Sequence, residues 1–370
     1  MILVNNPGTW SHIYPPLKHA DWHGLTPTDL VFPFFLFAVG NAMSFVMPRL
    51  EVAGDKVFWS KVLKRSALIF LIGLFLNWSP FFTWQGDQLV FKQWAWTDTL
   101  GNAQGVRITG VLQRIALCYF FASVIVYYFK VRGAFALGLA MLLLYWAICL
   151  LLGDARDPFS MTGYFGRDAD IALLGKSHML HIDKVDGKVF YFDYEGISST
   201  VAAIVQVIFG YIVGDYIQKK GKNHEMLTGL FVAGVAMLVT GFCWDTVFPI
   251  NKKIWTSSYT VYTTGLATIT IATMIWMIEF KGVRGGIARF FDVFGKNALF
   301  VFALSGFLPR ALGLIRLGDG VNPWNWLYKK VLIHIPGPAE NGSLAYAVFV
   351  ILLMWAVCWW MDKKKIYIKV

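Results

Sequence analysis

Charge is scarce in this chain: 15% of its 370 residues are Asp, Glu, Lys or Arg, against roughly a quarter in soluble globular domains. Cysteine is scarcer still. Cys118, Cys149, Cys243 and Cys358 all sit in apolar sequence, where they read as small core residues and supply neither a metal set nor a disulfide framework. The chain has no phosphate-binding glycine loop, no dinucleotide fingerprint and no serine nucleophile elbow, so the usual sequence signatures of nucleotide-dependent and serine-based catalysis are missing. It also has no zinc finger, no base-stacking module and no soluble domain to hold a duplex. Its formal net charge of +11 is better explained by membrane topology than by nucleic acid, and no nucleic-acid partner is expected.

What fills the chain instead is apolar sequence, at 57% of residues and a mean hydropathy of +0.55. Segments 30–48, 66–86, 196–214, 226–244 and 341–361 carry no charge at all, and each is long enough to cross about 30 Å of hydrocarbon as a helix. Backbone groups cannot stay unpaired in lipid, and these runs are too long for barrel strands, so helices are required. Hydropathy predicts a four-residue stub at 1–4 and helices at 27–47, 63–82, 110–129, 134–153, 196–214, 226–244, 259–279, 292–309 and 341–361, with a further short helix near 82–103 or 318–335. The expected fold is an all-α, polytopic membrane bundle of about ten spans, the first truncated, forming one domain over 1–370.

Lys and Arg set its orientation. Arg49, Lys56, Lys61, Lys64 and Arg65, then Lys130 and Arg132, then Lys219, Lys220 and Lys222, then Lys281, Arg284 and Arg289, and finally Lys363, Lys364, Lys365 and Lys369 fall between spans on one side, which is read as cytoplasmic. The longer loops 5–26, 83–109, 154–195, 245–258 and 310–340 fall on the other; loop 154–195 holds Asp154, Asp157, Asp168, Asp170, Asp183, Asp186 and Asp193. In a bacterium that side is the periplasm, with 5–26 and 154–195 as periplasmic loops, so the expected location is the inner membrane, in contact with lipid.

An unusually polar string precedes the first full helix: Asn5-Asn6-Pro7-Gly8, then His19-Ala20-Asp21-Trp22-His23-Gly24-Leu25-Thr26-Pro27-Thr28-Asp29. Thr26 suits an N-cap, Pro27 the first helical position, and Asp29 completes an acidic capping box. Asp29 either caps only, or also orients a histidine or binds a ligand. His19 and His23 are four apart, but Pro15, Pro16, Gly24 and Pro27 argue for irregular chain, and no further ligands stand at metal spacing; no metal is expected. His19 is either an interfacial hydrogen-bonding residue, a general base, or a transient acyl carrier. Asn5 fits a simple turn, or donation to a developing oxyanion.

Other polar residues lie deeper. Gln113 and Arg114 open the 110–129 span, where Arg114 either snorkels or meets an anionic partner. Asp245, and Lys252 and Trp255 in the Phe248–Tyr259 stretch, fit an outer turn with an aromatic anchor or the rim of a ligand pocket, with Trp255 able to stack on a sugar. Asp193 and Glu195 end the long loop as caps and candidate acids, and Asn297 is placed to reach the interior.

The run Val4-Asn5-Asn6-Pro7-Gly8, the string from His19 through Asp29 and on to Phe37, and the stretches from Arg107 to Tyr119, Tyr191 to Gly196 and Phe248 to Tyr259 closely resemble the heparan-alpha-glucosaminide N-acetyltransferase family, whose bacterial members are membrane glucosamine acetyltransferases. The resemblance spans nearly the whole chain. It implies an acetyl group drawn from cytoplasmic acetyl-CoA and passed to a glucosamine amine on the other side. It implies catalytic roles for His19, Asn5 and Asp29, with CoA contacts from Arg114, Gln113 and Asn297, substrate contacts from Asp245, Lys252, Trp255 and Asp193, and a homodimer. The acetyl either passes directly or rests on His19. Relatives carry a basic start and the rest of a first helix before the Asn-Asn-Pro-Gly run, so the chain is expected to begin about one helix late. The large luminal domain of the animal enzymes is missing from it, which favours a small amino sugar or glycan end over heparan. A sugar or envelope-precursor transporter and a non-catalytic scaffold are the alternatives, although no matching pair of broken helices supports a repeat-built transporter.

Overall fold

The computed structural model describes residues 1–185, 188–318 and 320–368; Asp186 and Lys369, used in the loop and orientation readings, lie outside them. Twelve α-helices are present among the described residues: α1 Ile2–Asn5, α2 Val31–Ala53, α3 Asp55–Trp78, α4 Val111–Leu152, α5 Phe165–Leu174, α6 Ile197–Lys220, α7 His224–Asp245, α8 Ser257–Ile275, α9 Gly286–Lys296, α10 Ala298–Gly313, α11 Trp326–Lys330 and α12 Ala339–Lys363. Among the described residues, six helices are long and apolar enough to cross a membrane, or seven if the bent pair α9 and α10 forms one span. The protein is a multi-pass membrane protein.

The expected ten spans are not reached by this measure, for local reasons. Among the described residues, segment 318–335 yields only α11 and a 3-10 turn at Leu332–His334. α3 begins among Asp55, Lys56, Lys61, Lys64 and Arg65, so its uncharged part is short. The spans expected at 110–129 and 134–153 form one 42-residue element, α4, interrupted at Lys130, where φ is 54°. α9 and α10 meet at 77°. Asn297, expected to reach the interior and touch a cofactor, sits at that bend with its amide already used: Nδ2 donates to the Ile366 carbonyl at 3.1 Å and Oδ1 accepts from the Ile368 amide at 2.9 Å. It ties the C-terminal tail to the bend.

The all-α expectation also needs amending outside the spans. Segment 82–103, read as a possible short helix, starts an antiparallel hairpin of β1 Phe82–Gln85 and β2 Gln88–Phe91; β3 Ala95–Thr97 pairs with β4 Ala103–Gly105, and β5 His181–Val185 with β6 Lys188–Tyr191. Trp84 and Trp96 with Gly86 and Gly101 are aromatic strand residues punctuated by turn glycines, a pattern that favours hairpins over helix.

The scaffold beneath the site is α2 against α6. A Cβ on Gly40 would lie 1.9 Å from the Val207 carbonyl oxygen, and one on Gly210 would lie 2.1 Å from that of Phe37. Only glycine lets the two backbones touch, the kind of close packing that holds helices together where lipid offers no hydrophobic drive. α5 then fixes the start of α6. The buried Asp170 carboxylate accepts from the Ser198 amide at 3.0 Å and its hydroxyl at 2.9 Å. Burial pushes this carboxyl up to about 6, against the two Ser198 bonds that pull it down. The folded state therefore holds its proton more tightly than the unfolded chain. Its contribution is fully present below about pH 3.8 and is lost as pH rises through about 6, a change of about 3 kcal/mol. Thermal unfolding of the solubilised protein at pH 4.5 and pH 7 checks this: Asp170→Asn, which cannot ionise, should flatten that part of the pH dependence.

Candidate active site

The N-termini of α2, α6 and α8 lie at one end of the bundle, and the segments leading into them enclose a cavity of about 220 Å³ lined by His19, Ala20, Trp22, Asp29, Tyr194, Glu195, Lys252, Lys253 and Trp255. Helix N-termini present unpaired amides and partial positive charge, so such a place favours a group on which negative charge develops.

Asp29 is the fixed point. Pro27–Leu30 forms a 3-10 turn capped by Thr26 and runs straight into α2. Asp29 is 1% exposed, and its two oxygens divide the work. Oδ2 accepts from the Ala20 amide at 3.0 Å, the Thr26 amide at 3.1 Å and the Thr26 hydroxyl at 3.0 Å. Oδ1 faces His19 Nδ1 at 2.6 Å and Lys252 Nζ at 3.3 Å. Capping and orientation are thus carried by different atoms of one carboxylate. Tyr259 locks the same turn to α8, its hydroxyl donating to the Asp29 carbonyl at 2.6 Å.

A carboxylate on Nδ1 selects the tautomer with hydrogen there, leaving the Nε2 lone pair free. Nε2 has no hydrogen-bond partner among the described residues, and the His19 side chain is 43% exposed. The His19 imidazole is therefore oriented from behind and open in front.

Lys252 comes from the α7–α8 loop. Its Nζ is 3.0 Å from His19 Nδ1. Burial pushes its ammonium below the usual lysine range, outweighing the opposite pull of Asp29 and Glu195. Lys253 points elsewhere: its Nζ donates to the Asp21 carbonyl and stands 4.9 Å from the Tyr194 ring centre and 5.7 Å from that of Trp22. Asn251 shapes this loop, its Oδ1 accepting from the Lys253 and Ile254 amides at 2.7 and 3.2 Å.

Trp255 forms the floor. It holds a positive φ of 50°, and its buried Nε1 has no partner. Beneath it the Arg114 guanidinium lies 5.2 Å from the ring centre. Arg114 does not snorkel. It is 1% exposed, donates through Nη2 to the Gly196 carbonyl at 2.9 Å and to Ser199 Oγ, and leaves Nε and Nη1 unpaired. The cost of an unpaired buried cation at this depth is large, and its charge lies directly under the cavity.

The remaining expected residues separate from this group. Asp193 does not line the cavity. Burial pushes its carboxyl up, but the Arg107 guanidinium overrides this and holds it below the usual range. Asp193 also accepts from Thr109 Oγ1 and the Leu180 and Glu195 amides, so its oxygens are occupied. Asp245, the last residue of α7, holds the loop that follows, accepting from the Ile250 amide at 2.5 Å. His23 does not share a helical face with His19; its Nδ1 faces Asn251 Nδ2 at 3.4 Å. Asn5 and Gln113 line a second cavity of about 530 Å³ with Asn77, Arg107, Arg310, Trp10 and Trp324 among others. The buried Gln113 Nε2 has no partner there. Arg107 joins the two cavities, since it lines the second and pairs with Glu195, which lines the first.

Sequence reasoning left out Trp22, Tyr194 and Lys253 as site residues and treated Glu195 mainly as a cap. The adjacent Lys252-Lys253 pair was the one visible signal. Tyr194 carried no signal beyond its place in the Tyr191 to Gly196 stretch, because nothing local shows that the end of the 154–195 loop returns to His19.

Two curated relatives match the chain. Heparan-alpha-glucosaminide N-acetyltransferase of Mus musculus and that of Homo sapiens are each 24% identical over 352 residues, covering 82% of this chain and 50% of the relative. No family model matches. The chain spans about half the length of these curated relatives. At that distance, the alignment and the residue pattern both make the chain similar to heparan-alpha-glucosaminide N-acetyltransferases, as a distant likeness.

Proposed function

We propose that the protein is a membrane N-acetyltransferase that moves an acetyl group from acetyl-CoA, supplied at the basic cytoplasmic face, to the amine of glucosamine or a related amino sugar at the opposite, periplasmic end, in a bacterial inner membrane. The observation that carries this reading is the His19–Asp29 couple at 2.6 Å, its Nε2 open to a small aromatic-walled cavity.

An ammonium cannot attack a thioester, so the acceptor must lose protons on the way to the amide. His19 Nε2 takes one as the tetrahedral intermediate forms, and Asp29 stabilises the resulting imidazolium. Asp29 keeps its charge for this because five donors converge on it. Negative charge on the former carbonyl oxygen develops near three helix N-termini and above Arg114, in a site of low dielectric where such charges act strongly. Direct transfer and a transient acetyl-histidine make the same demand on the couple. Trp22 is the partly exposed indole against which a sugar ring can pack, the nearly buried Trp255 closes the floor, and the volume suits one ring better than a long glycan.

The donor is assigned to the second cavity. Its unpaired Gln113 Nε2, Asn5, Arg107 and Arg310 lie toward the periplasmic end, where they can donate to the thioester and amide oxygens of the donor's acetyl-bearing arm. Phe302 lines both this cavity and an apolar slot of about 640 Å³ that reaches Phe290 and Phe294 of α9, which gives a long, thin donor a route along the bundle. Asn5 then acts from the donor side.

Vesicles containing the protein, given labelled acetyl-CoA and glucosamine, should form labelled N-acetylglucosamine. No transfer to glucosamine or any other amino sugar would overturn the proposal, and sugar accumulation without CoA would favour transport.

A further inference from the structure

We propose that Lys252 is itself an acetyl acceptor: when no sugar amine occupies the cavity, its Nζ takes the acetyl group and the protein blocks its own site. This rests on the acetyl-transfer reading above. The cavity is a place for acylating an amine, and it already contains one. Lys252 Nζ stands 3.0 Å from the ring of the proposed base and 3.3 Å from Asp29 Oδ1. Its side chain is only 20% exposed, and burial favours its neutral, nucleophilic form. Lys253 is a built-in contrast. It lines the same cavity, but its Nζ is held by the Asp21 carbonyl and faces the Trp22 and Tyr194 rings instead of His19.

The chemistry balances with the donor already invoked. The ammonium gives one proton to solvent. The Nζ–C bond forms at the acetyl thioester, a second proton passes from nitrogen by way of solvent to the open Nε2 of His19, the C–S bond breaks, and that proton leaves with the thiolate as the free thiol. The product is a neutral amide. It gives up the ionic contact with Asp29 and adds an acetyl group to a cavity of about 220 Å³, so acceptor binding is lost.

The test is a peptide map by mass spectrometry of the purified full chain after incubation with acetyl-CoA, with and without glucosamine, measuring N-acetylglucosamine in the same samples. The expected result is acetyl on Lys252 in about tenfold or greater excess over Lys253 and Lys18, reduced by glucosamine and lost in His19→Ala. Acetylated glucosamine with Lys252 unmodified, or acetylated no more than Lys253 and Lys18, overturns this inference and leaves the proposed function standing. If neither glucosamine nor Lys252 is acetylated, the proposed function fails and this inference fails with it.

Discussion

Asp29→Asn is expected to lower the rate of acetyl transfer by about 100- to 10,000-fold, while α2 still forms. The reason lies in how the carboxylate is divided. Three donors, the Ala20 amide, the Thr26 amide and the Thr26 hydroxyl, converge on Oδ2. In the asparagine variant only the carbonyl oxygen accepts, so it must take that position. The amide nitrogen is then forced to where Oδ1 stood, against His19 Nδ1. A donor there compels the ring to accept at Nδ1 and carry its hydrogen on Nε2, so the atom facing the cavity has no lone pair. The amide nitrogen also meets Lys252, which loses its counter-charge. The helix survives because its cap depends on the Oδ2 position, which the variant keeps. Comparing initial rates with circular dichroism of the same preparation separates the two roles: normal helicity with near-normal transfer contradicts the tautomer argument.

The start of α2 was readable from sequence because Thr26, Pro27 and Asp29 act on their own neighbours, and capping is a matter of three or four consecutive residues. The spans were readable for a similar reason, since apolar length is local. What could not be read was convergence. Lys252 meets His19 across 233 positions of sequence and Asn251 meets His23 across 228, and no spacing rule encodes contacts that depend on how α2, α6 and α8 pack. The same limit separated Asn5 from His19. The two lie fourteen positions apart in one polar string, yet the structure gives them to different cavities. Asp193 reads from sequence as a cap and a candidate acid, and its ion pair is not legible there because its partner Arg107 lies 86 positions upstream. The hairpins of 82–105 escaped because tryptophan-rich, weakly charged sequence next to a span also suits an interfacial helix.

His19→Ala is the second large effect. Its side chain is partly exposed and touches Asp29 and Lys252 only through Nδ1, so removal empties no packed core. A stability change within about 0.5 kcal/mol is expected. Lys252 then becomes the main ionic partner of Asp29 Oδ1, which keeps the carboxylate satisfied. Transfer nevertheless falls by about 100- to 10,000-fold, the usual worth of a positioned general base, and the loss appears in kcat because proton removal occurs only as the intermediate forms. Unchanged unfolding with a collapsed rate is the expected pair of results; unfolding at much lower temperature would make His19 a structural residue.

Central to this account is that an imidazole held by Asp29 in this cavity removes the acceptor's proton. The most direct measurement is the rate of labelled acetyl transfer to glucosamine by His19→Ala as free imidazole is added, beside the double variant His19→Ala with Asp29→Asn. Imidazole should fill the vacated space against Oδ1 and restore transfer in the single variant but not in the double. Full activity in His19→Ala without any imidazole would contradict the account outright.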